Sequence, residues 1–387
     1  MKYITNLKER FDKDQLLVIL SVLALSFPYY IAGPILVLEC IYLLISKRGK
    51  GVFSNTPKVK YLFIFLGLSE VVSLINQNWL GALCVIAIFL MITLMLYYRQ
   101  HLTADLFEFI LDLLIVCSIF WALYGLFEQL VIYNRLGGTF FKIYSRRENR
   151  LNSVFMNSNY YAMMIEFMGM IIMYKFFRVK DNLKKSIYYA CIGLLNLFML
   201  YMTGCRTALI AVAVAIIVFL LINKNFRLCL LILLGSIALG IFFIINPSKF
   251  PRVEKLFDNL EVRIDIWKCA IKGIKAHPLF GQGPMTYMLI CEKYGGHITQ
   301  HAHSVYLDPL LSFGIIGVGT VIPYIVDNCK RLYQFFKTGV NRTYVALVVA
   351  CVVIIFVHGT LDYTIFFLHT GLLFMFIASS FDMNIKK

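Results

Sequence analysis

The residues of this chain best suited to chemistry are two imidazoles and a scattered set of guanidiniums. His301 and His303 open an apolar run in HAHSVYLDPLLSFGIIGVG, and imidazole titrates in the range where a general base works. Arg206 lies in MTGCRTALIA, Arg263 in RIDIW, and Arg146, Arg147, Arg150 and Arg252 in two long connections. Guanidiniums grip phosphate oxygens two hydrogen bonds at a time, and a helix starting near Thr207 adds the positive end of its dipole. Together these groups imply a phosphate or pyrophosphate ligand. A plainer reading of His303 stays open, that of a polar helix start in which Ser304 or Asp308 caps and Pro309 occupies the first turn.

These groups must be positioned by a membrane-embedded scaffold. Of the 387 residues 60% are hydrophobic and 15% charged, and the mean hydropathy is +0.77, outside the usage of soluble domains. Apolar windows of spanning length fall at about 15–31, 33–46, 60–76, 79–98, 106–131, 156–177, 186–203, 206–222, 227–245, 304–328, 343–358 and 361–380. The expectation is an all-α polytopic integral membrane protein with about twelve transmembrane helices, one domain over 1–387. The first window reads as a retained helix and not as a removed signal peptide. The ten cysteines show no metal spacing, and a disulfide between Cys269 and Cys291 is left open.

The net charge of +16 takes its meaning from position. With the N-terminus inside, the inner loops SKRGKGVFSNTPKVK, YYRQHLTAD, KFFRVKDNLKK, NKNFR and KRLYQFFKTGVNR are all basic, as the positive-inside rule asks. The charge therefore sets orientation in the bilayer and does not indicate nucleic acid. Two outer connections, 132–155 and 246–303, break the rule. An anionic ligand on the outer face explains their arginines, and passive translocation of long loops is the alternative. Within the longer one, 252–276 projects as an amphipathic helix with Val253, Leu256, Leu260, Ile264, Trp267, Ile271 and Ile274 in one stripe, ended by His277-Pro278. Arg263 falls at the edge of the stripe, either turned toward the bundle or snorkelling. Glu70 and Glu166 lie in the outer halves of their spans. They read as counter-charges for arginines, as protonated carboxyls, or as a relay in a rival class, a transporter or flippase of lipid-linked glycans.

His303-Ser304, followed after nine residues by Gly314-Ile315-Ile316-Gly317, resembles the signature of the O-antigen ligase and polymerase superfamily. NSNYYAMM at 157–164, TGCRTALIA at 203–211, RIDIW at 263–267 and HPLFGQGP at 277–284 are similar to that family in order and spacing. Cys205 replaces a usual serine, and Ser158 stands where proline is common. The resemblance implies a GT-C-like, metal-independent, inverting glycosyltransferase without cofactor in the bacterial plasma (inner) membrane. Such enzymes move a glycan from undecaprenyl pyrophosphate to an acceptor hydroxyl on a glycan, lipid or protein at the extracytoplasmic face. In that frame Arg206 and Arg263 would hold the pyrophosphate. His303 would be the base, Arg146, Arg147, Arg150, Arg252 and His301 substrate-binding groups, and Gly314 and Gly317 structural. No Asp-x-Asp or His-Glu ligand set occurs in the outer loops, so arginine would serve where soluble transferases often use a metal. Composition tilts the choice between ligase and polymerase toward polymerase.

Overall fold

The computed structural model of the protein describes residues 7, 9–46, 48–49, 51–144, 146–249, 252, 256–380 and 383. Among these residues the regular elements are all helical. The first half of the chain forms α1 (Lys13–Ala24), α2 (Tyr29–Ile45), α3 (Val59–Ile75), α4 (Trp79–His101), α5 (Ala104–Leu136) and α6 (Ser158–Arg178). The second half forms α7 (Leu183–Met202), α8 (Arg206–Ile222), α9 (Phe226–Ile245), α10 (Leu256–Ala276), the short α11 (Thr286–Ile290), α12 (Leu307–Thr338), α13 (Arg342–His358) and α14 (Leu368–Ser379). Several helices start where a short polar side chain satisfies the first turn: Asn78, Thr103, Asn157, Asn182 and Asn225 each accept a backbone N–H.

Each expected window holds a helix, but among the described residues only α4, α5, α7, α9 and α12 are long and apolar enough to cross a membrane. Helices α2, α8, α13 and α14 are apolar and shorter, with 12 to 17 residues. Three of these give up turns at the same end of the bundle, where α8 begins at Arg206, α13 stops at His358 and α14 begins at Leu368. The turns they lack are the connectors that carry the site. At the opposite end lie the basic stretches, where Thr343 at the head of α13 donates to Asn223 at the end of α8 across 3.0 Å.

Helix α6 is the axis of the core, packed against α5, α7, α8, α13 and α14. Helices α8 and α13 lie along each other, and both bury small residues, among them Ala208, Ala211, Ala215, Ala346 and Ala350, which lets the backbones approach.

The helix expected over 252–276 differs in two respects. Arg252 is a turn residue outside it, with a φ of 56°, and Val253 and Glu254 lie outside the described residues. The face that α10 buries is also only partly the predicted stripe, of which Trp267 and Ile274 pack against the buried cluster. It holds Ile266, Cys269, Ala270 and Gly273, while Leu260, Ile264 and Ile271 are exposed. Close packing against α11 and α12 selects the narrow side: a Cβ on Gly273 would strike Ile290 and Leu311.

Helix α12 is broken at Gly314, whose φ of 63° and ψ of −178° no helix contains. The break frees backbone groups that a low-dielectric setting cannot leave unpaired, and the segment HPLFGQGP satisfies them. Ile315 and Ile316 donate to the Pro278 and Leu279 carbonyls, both at 2.9 Å, and Gly283 donates to Ser312 at 2.8 Å. Asn78 holds the far side of the loop, donating to Gln282 and Pro284 at 3.0 and 2.7 Å. A Cβ at Gly314 would collide with the Leu279 carbonyl, and one at Gly281 with that of Ser312. Two stretches of the family signature are therefore one joint. The free cysteines include Cys269 and Cys291, so the disulfide left open between them is not formed.

Gly314→Ala should lower stability by about 2–4 kcal/mol, combining left-handed strain with overpacking. Gly319→Ala, five positions on with open space around it, should shift stability by about 1 kcal/mol at most, in the stabilising direction. Thermal melting of the two variants in detergent measures the difference, and equal melting would remove the joint from the account of α12.

Candidate active site

The heads of α6 and α8, the end of α13, and α10, α11 and the connectors beside them line a cavity of about 710 Å³. Arg150, Arg206, Arg252, Arg263, His301 and His303 all line it, together with Asn159, Cys205, Thr299, His358 and Asp362. The chain thus brings six of its eight predicted site arginines and histidines to one wall. Arg146 is exposed and outside the lining, because the turn of Arg146–Asn149 points it away from the connector that Arg150 enters. The side chain of Arg147 lies outside the described residues.

His303 sits at a φ of 48°, in the left-handed region that bulky residues avoid. Such strain persists only where the surroundings hold it. They do so through Asp362, whose Oδ1 lies 2.7 Å from His303 Nδ1. On its other side His303 Nε2 is 3.1 Å from Thr299 Oγ1. Part of the plainer reading holds, since Ser304 accepts from Tyr306 and Leu307 at 3.3 and 3.4 Å and Pro309 stands in the first turn of α12; the bond from His303 to Asp362 goes beyond what a helix start needs. Asp308 instead accepts from Ala302 N at 2.6 Å and from Ser312 at 3.3 Å, fixing the 301–303 turn from below. His301 supports its neighbour, its Nδ1 accepting the His303 amide at 3.3 Å. Burial, with the charge of His303, pushes the His301 imidazole down to about 4, so it is neutral at ordinary pH.

Asp362 is the residue that sequence reasoning missed. It is buried in the connector between α13 and α14. Burial works against its charge, but the hydrogen bond and charge of His303 and the charge of Arg263 outweigh it and hold the carboxyl well below the usual carboxylate range. Its Oδ2 accepts from Asn159 at 2.6 Å, and its Oδ1 also accepts from Tyr363 N at 2.9 Å. An acid at the head of the last apolar window was the signal that could have revealed it.

Asn159 passes the network on to Arg150, whose Nη2 donates to Asn159 Oδ1 at 3.0 Å. Arg150 also grips the Thr203 carbonyl with Nε and Nη2 at 3.1 and 3.0 Å. Burial brings this guanidinium down to about 10, and it stays charged. Through Nε and Nη2 Arg150 positions the connector before α8, and it lines the cavity as the substrate-binding expectation asks. Arg206 reaches across to the Arg252 carbonyl at 3.0 Å, tying the second basic loop to the head of α8. Arg263 faces the cavity from α10, half-buried; burial lowers it and the charge of Asp362 works in the opposite direction. The snorkelling alternative for Arg263 does not hold.

Glu166 is not the counter-charge of an arginine. Its two oxygens lie 2.9 and 3.0 Å from His358 Nδ1, because α6 and α13 pack in direct contact and a buried acid takes the nearest donor. Glu70 does not serve an arginine either: it stands in α3 away from the lining, and its buried Oε2 has no hydrogen-bond partner.

The donor atoms of His301, His303 and Asp362 lie within 4.8 Å of one another, close enough to hold a cation. The four arginines of the same wall disfavour added positive charge. They favour an anion held by guanidiniums beside an imidazole whose Nδ1 is fixed by a carboxylate.

The family model described as O-antigen ligase matches residues 191–322. No curated protein matches the chain. The match holds Arg206, Arg263, His303, the HPLFGQGP loop and the α12 joint, and leaves NSNYYAMM and Asp362 outside it. Residues 191–322 are thus similar to the O-antigen ligase family, and the chain's resemblance to the O-antigen ligase and polymerase superfamily holds over the segment that carries three of the arginines lining the cavity.

Proposed function

We propose that the chain is a glycosyltransferase that moves a glycan from undecaprenyl pyrophosphate to an acceptor hydroxyl, as polymerase or ligase, in cell-surface polysaccharide assembly. A role in that assembly is supported by the O-antigen ligase family match over residues 191–322. The observation that carries the chemistry is the 2.7 Å His303–Asp362 pair opening on a cavity whose other charges are arginines. The carboxylate orders the imidazole so that Nδ1 carries the proton and Nε2 can accept one, the orientation role that a buried acid has in hydrolase triads.

In the reaction the acceptor oxygen attacks the anomeric carbon from the side opposite the pyrophosphate. The new C–O bond forms as the bond to the phosphate oxygen breaks. The electron pair leaves with the pyrophosphate, and the hydroxyl proton passes to His303 Nε2. Inversion at the anomeric carbon follows from that direction of attack. Charge grows on the leaving oxygens, and Arg206 and Arg263, with Arg252 behind them, stabilise it. Arginine supplies what a metal would, so the reaction is proposed as metal-independent, on a GT-C-like scaffold. The basic connectors at the end opposite the cavity support a cytoplasmic placement for that end and an extracytoplasmic one for the site, in a bacterial plasma membrane.

With a purified undecaprenyl-pyrophosphate oligosaccharide as donor, Arg206→Ala and Arg263→Ala should each lower kcat by about 10²–10³-fold. His303→Ala should lower it by about 10²–10⁴-fold, with the folded state retained on size exclusion. Full turnover by these variants would end the assignment. Elongation with lipid-linked repeats alone marks a polymerase, and transfer only to a core acceptor marks a ligase. Excess chelator should leave the rate unchanged; loss of activity restored by a divalent ion would move His301, His303 and Asp362 into a metal site.

Protonation of His303 should set the acid limb of the rate profile, because His301 is neutral above about pH 4 and Asp362 stays ionised, so neither changes charge between about pH 5 and 8. Asp362→Asn removes an anion that favours the imidazolium, so the limb should move to lower pH as kcat falls. His301→Gln should leave its position unmoved. A limb that followed His301 and ignored Asp362 would reverse the assignment of the base.

A further inference from the structure

A second histidine–carboxylate pair reaches the same cavity, and the mechanism above does not use it. His358 ends α13 fully buried, its Nδ1 fixed by Glu166 of α6 at 2.9 and 3.0 Å. Its Nε2 is turned to the thiol of Cys205, 3.9 Å away. Cys205 is the last residue before α8 and, like His358, lines the cavity. The local fold fixes the thiol there. Gly204 takes a φ of 65° where a Cβ would strike Ile143 and crowd Arg252, and the Cys205 amide donates to Thr203 Oγ1 at 3.2 Å. Arg150, bound to the Thr203 carbonyl, adds positive charge beside it.

The geometry points to Cys205, His358 and Glu166 as a thiol nucleophile with its base and orienting acid, making Cys205 a covalent-modification site for soft electrophiles small enough to enter the cavity. The arrangement is that of an activated cysteine, in which a neighbouring imidazole takes the thiol proton and a third group holds the imidazole. Burial opposes the thiolate, but the charge and hydrogen bond of His358, with the charge of Arg150, outweigh it and hold the Cys205 thiol below its ordinary range. With an α,β-unsaturated carbonyl such as a maleimide the step is an addition. The sulfur forms a bond to the β-carbon, the alkene pair moves to the α-carbon, and the proton that left the thiol ends there. No oxidant is needed and no group departs.

The other cysteines provide an internal control. Cys191 and Cys329 are exposed but lie outside the cavity lining. If access alone ruled, they would react first. Limited N-ethylmaleimide treatment of the intact, detergent-solubilised protein, followed by peptide mass mapping, reads the order directly. Cys205 should be modified ahead of Cys191 and Cys329, on the order of 10-fold faster. His358→Gln should slow the Cys205 adduct on the order of 10-fold, and Glu166→Gln should slow it in the same direction. The wild-type order needs no variant to fold, so it decides the matter even where a substitution in this buried pair prevents folding. Reaction at Cys191 and Cys329 first, with Cys205 modified only on denaturation, would overturn the inference, as would an unchanged Cys205 rate in folded His358→Gln. The readout is independent of glycosyl transfer, so a failed transferase assay would leave it standing.

Discussion

The site depends on one buried charge that must find partners. Asp362 is 5% exposed, and an isolated carboxylate in such surroundings costs several kcal/mol. It is satisfied by His303, Asn159 and the Tyr363 amide at once, and Asn159 in turn binds Arg150, which binds Thr203. The chain of contacts joins the turn before α12, the head of α6, the connector before α8 and the connector after α13. Among the lining residues this carboxylate faces four arginines. Guanidiniums fixed by the surrounding backbone present positive charge to an entering anion without rearrangement, which is the electrostatic form of preorganisation that catalysis by fixed charges requires.

The same economy explains why helices stop short at this end. An uninterrupted helix would close its backbone amides and carbonyls on themselves. Ending the helices here places Arg206 and His358 at helix ends and Asp362 in a connector, and leaves backbone groups for other use: Thr203 O receives Arg150 and Gly359 O receives the Val305 amide at 2.8 Å. Interrupted backbone at membrane depth is tolerated where protein buries it or a cavity takes it. The joint at Gly314 follows the same rule with a different partner, since the loop 277–284 supplies the hydrogen bonds that the broken helix lost. It also explains why the signature stretches are rich in glycine: at Gly281 and Gly314 a side chain would enter the other segment's backbone.

Much of this site could be read from the sequence because charge in a membrane protein is scarce and its position carries meaning. Arginines in outer connections that break the positive-inside rule led to Arg206, Arg252 and Arg263, and all three line the cavity. What could not be read was pairing across distance. Asp362 lies at the start of an apolar window and binds a histidine 59 positions earlier; Glu166 meets His358 across 192 positions. No spacing encodes such partners, so Glu166 was open to reading as an arginine's counter-charge. Helix α10 could be read only in part, for a related reason. A hydrophobic stripe shows which side of a helix avoids water, but lipid and protein both satisfy that demand. The side facing protein is chosen by fit, and here small residues at Cys269, Ala270 and Gly273 decided it.

The size of the cavity bears on what the proposed reaction can distinguish. A volume of about 710 Å³ is that of an ordinary small-molecule site. A long polyprenyl tail would stay in the bilayer, and most of a growing glycan would stay in solvent, so the enclosed part of either substrate is the pyrophosphate and the sugars next to the bond. The residues that do chemistry therefore see the same few atoms whether the acceptor is another lipid-linked repeat or a different molecule. Polymerase and ligase would share the arginines, His303 and Asp362, and would part company at the exposed lip of the lining, formed by Leu260, Met288 and Ile298 from α10, α11 and the following loop. Chimeras that exchange this lip between a polymerase and a ligase should therefore change acceptor preference while leaving the dependence on Arg206 and His303 intact. Substitutions among the arginines should scale the rate on both acceptors alike.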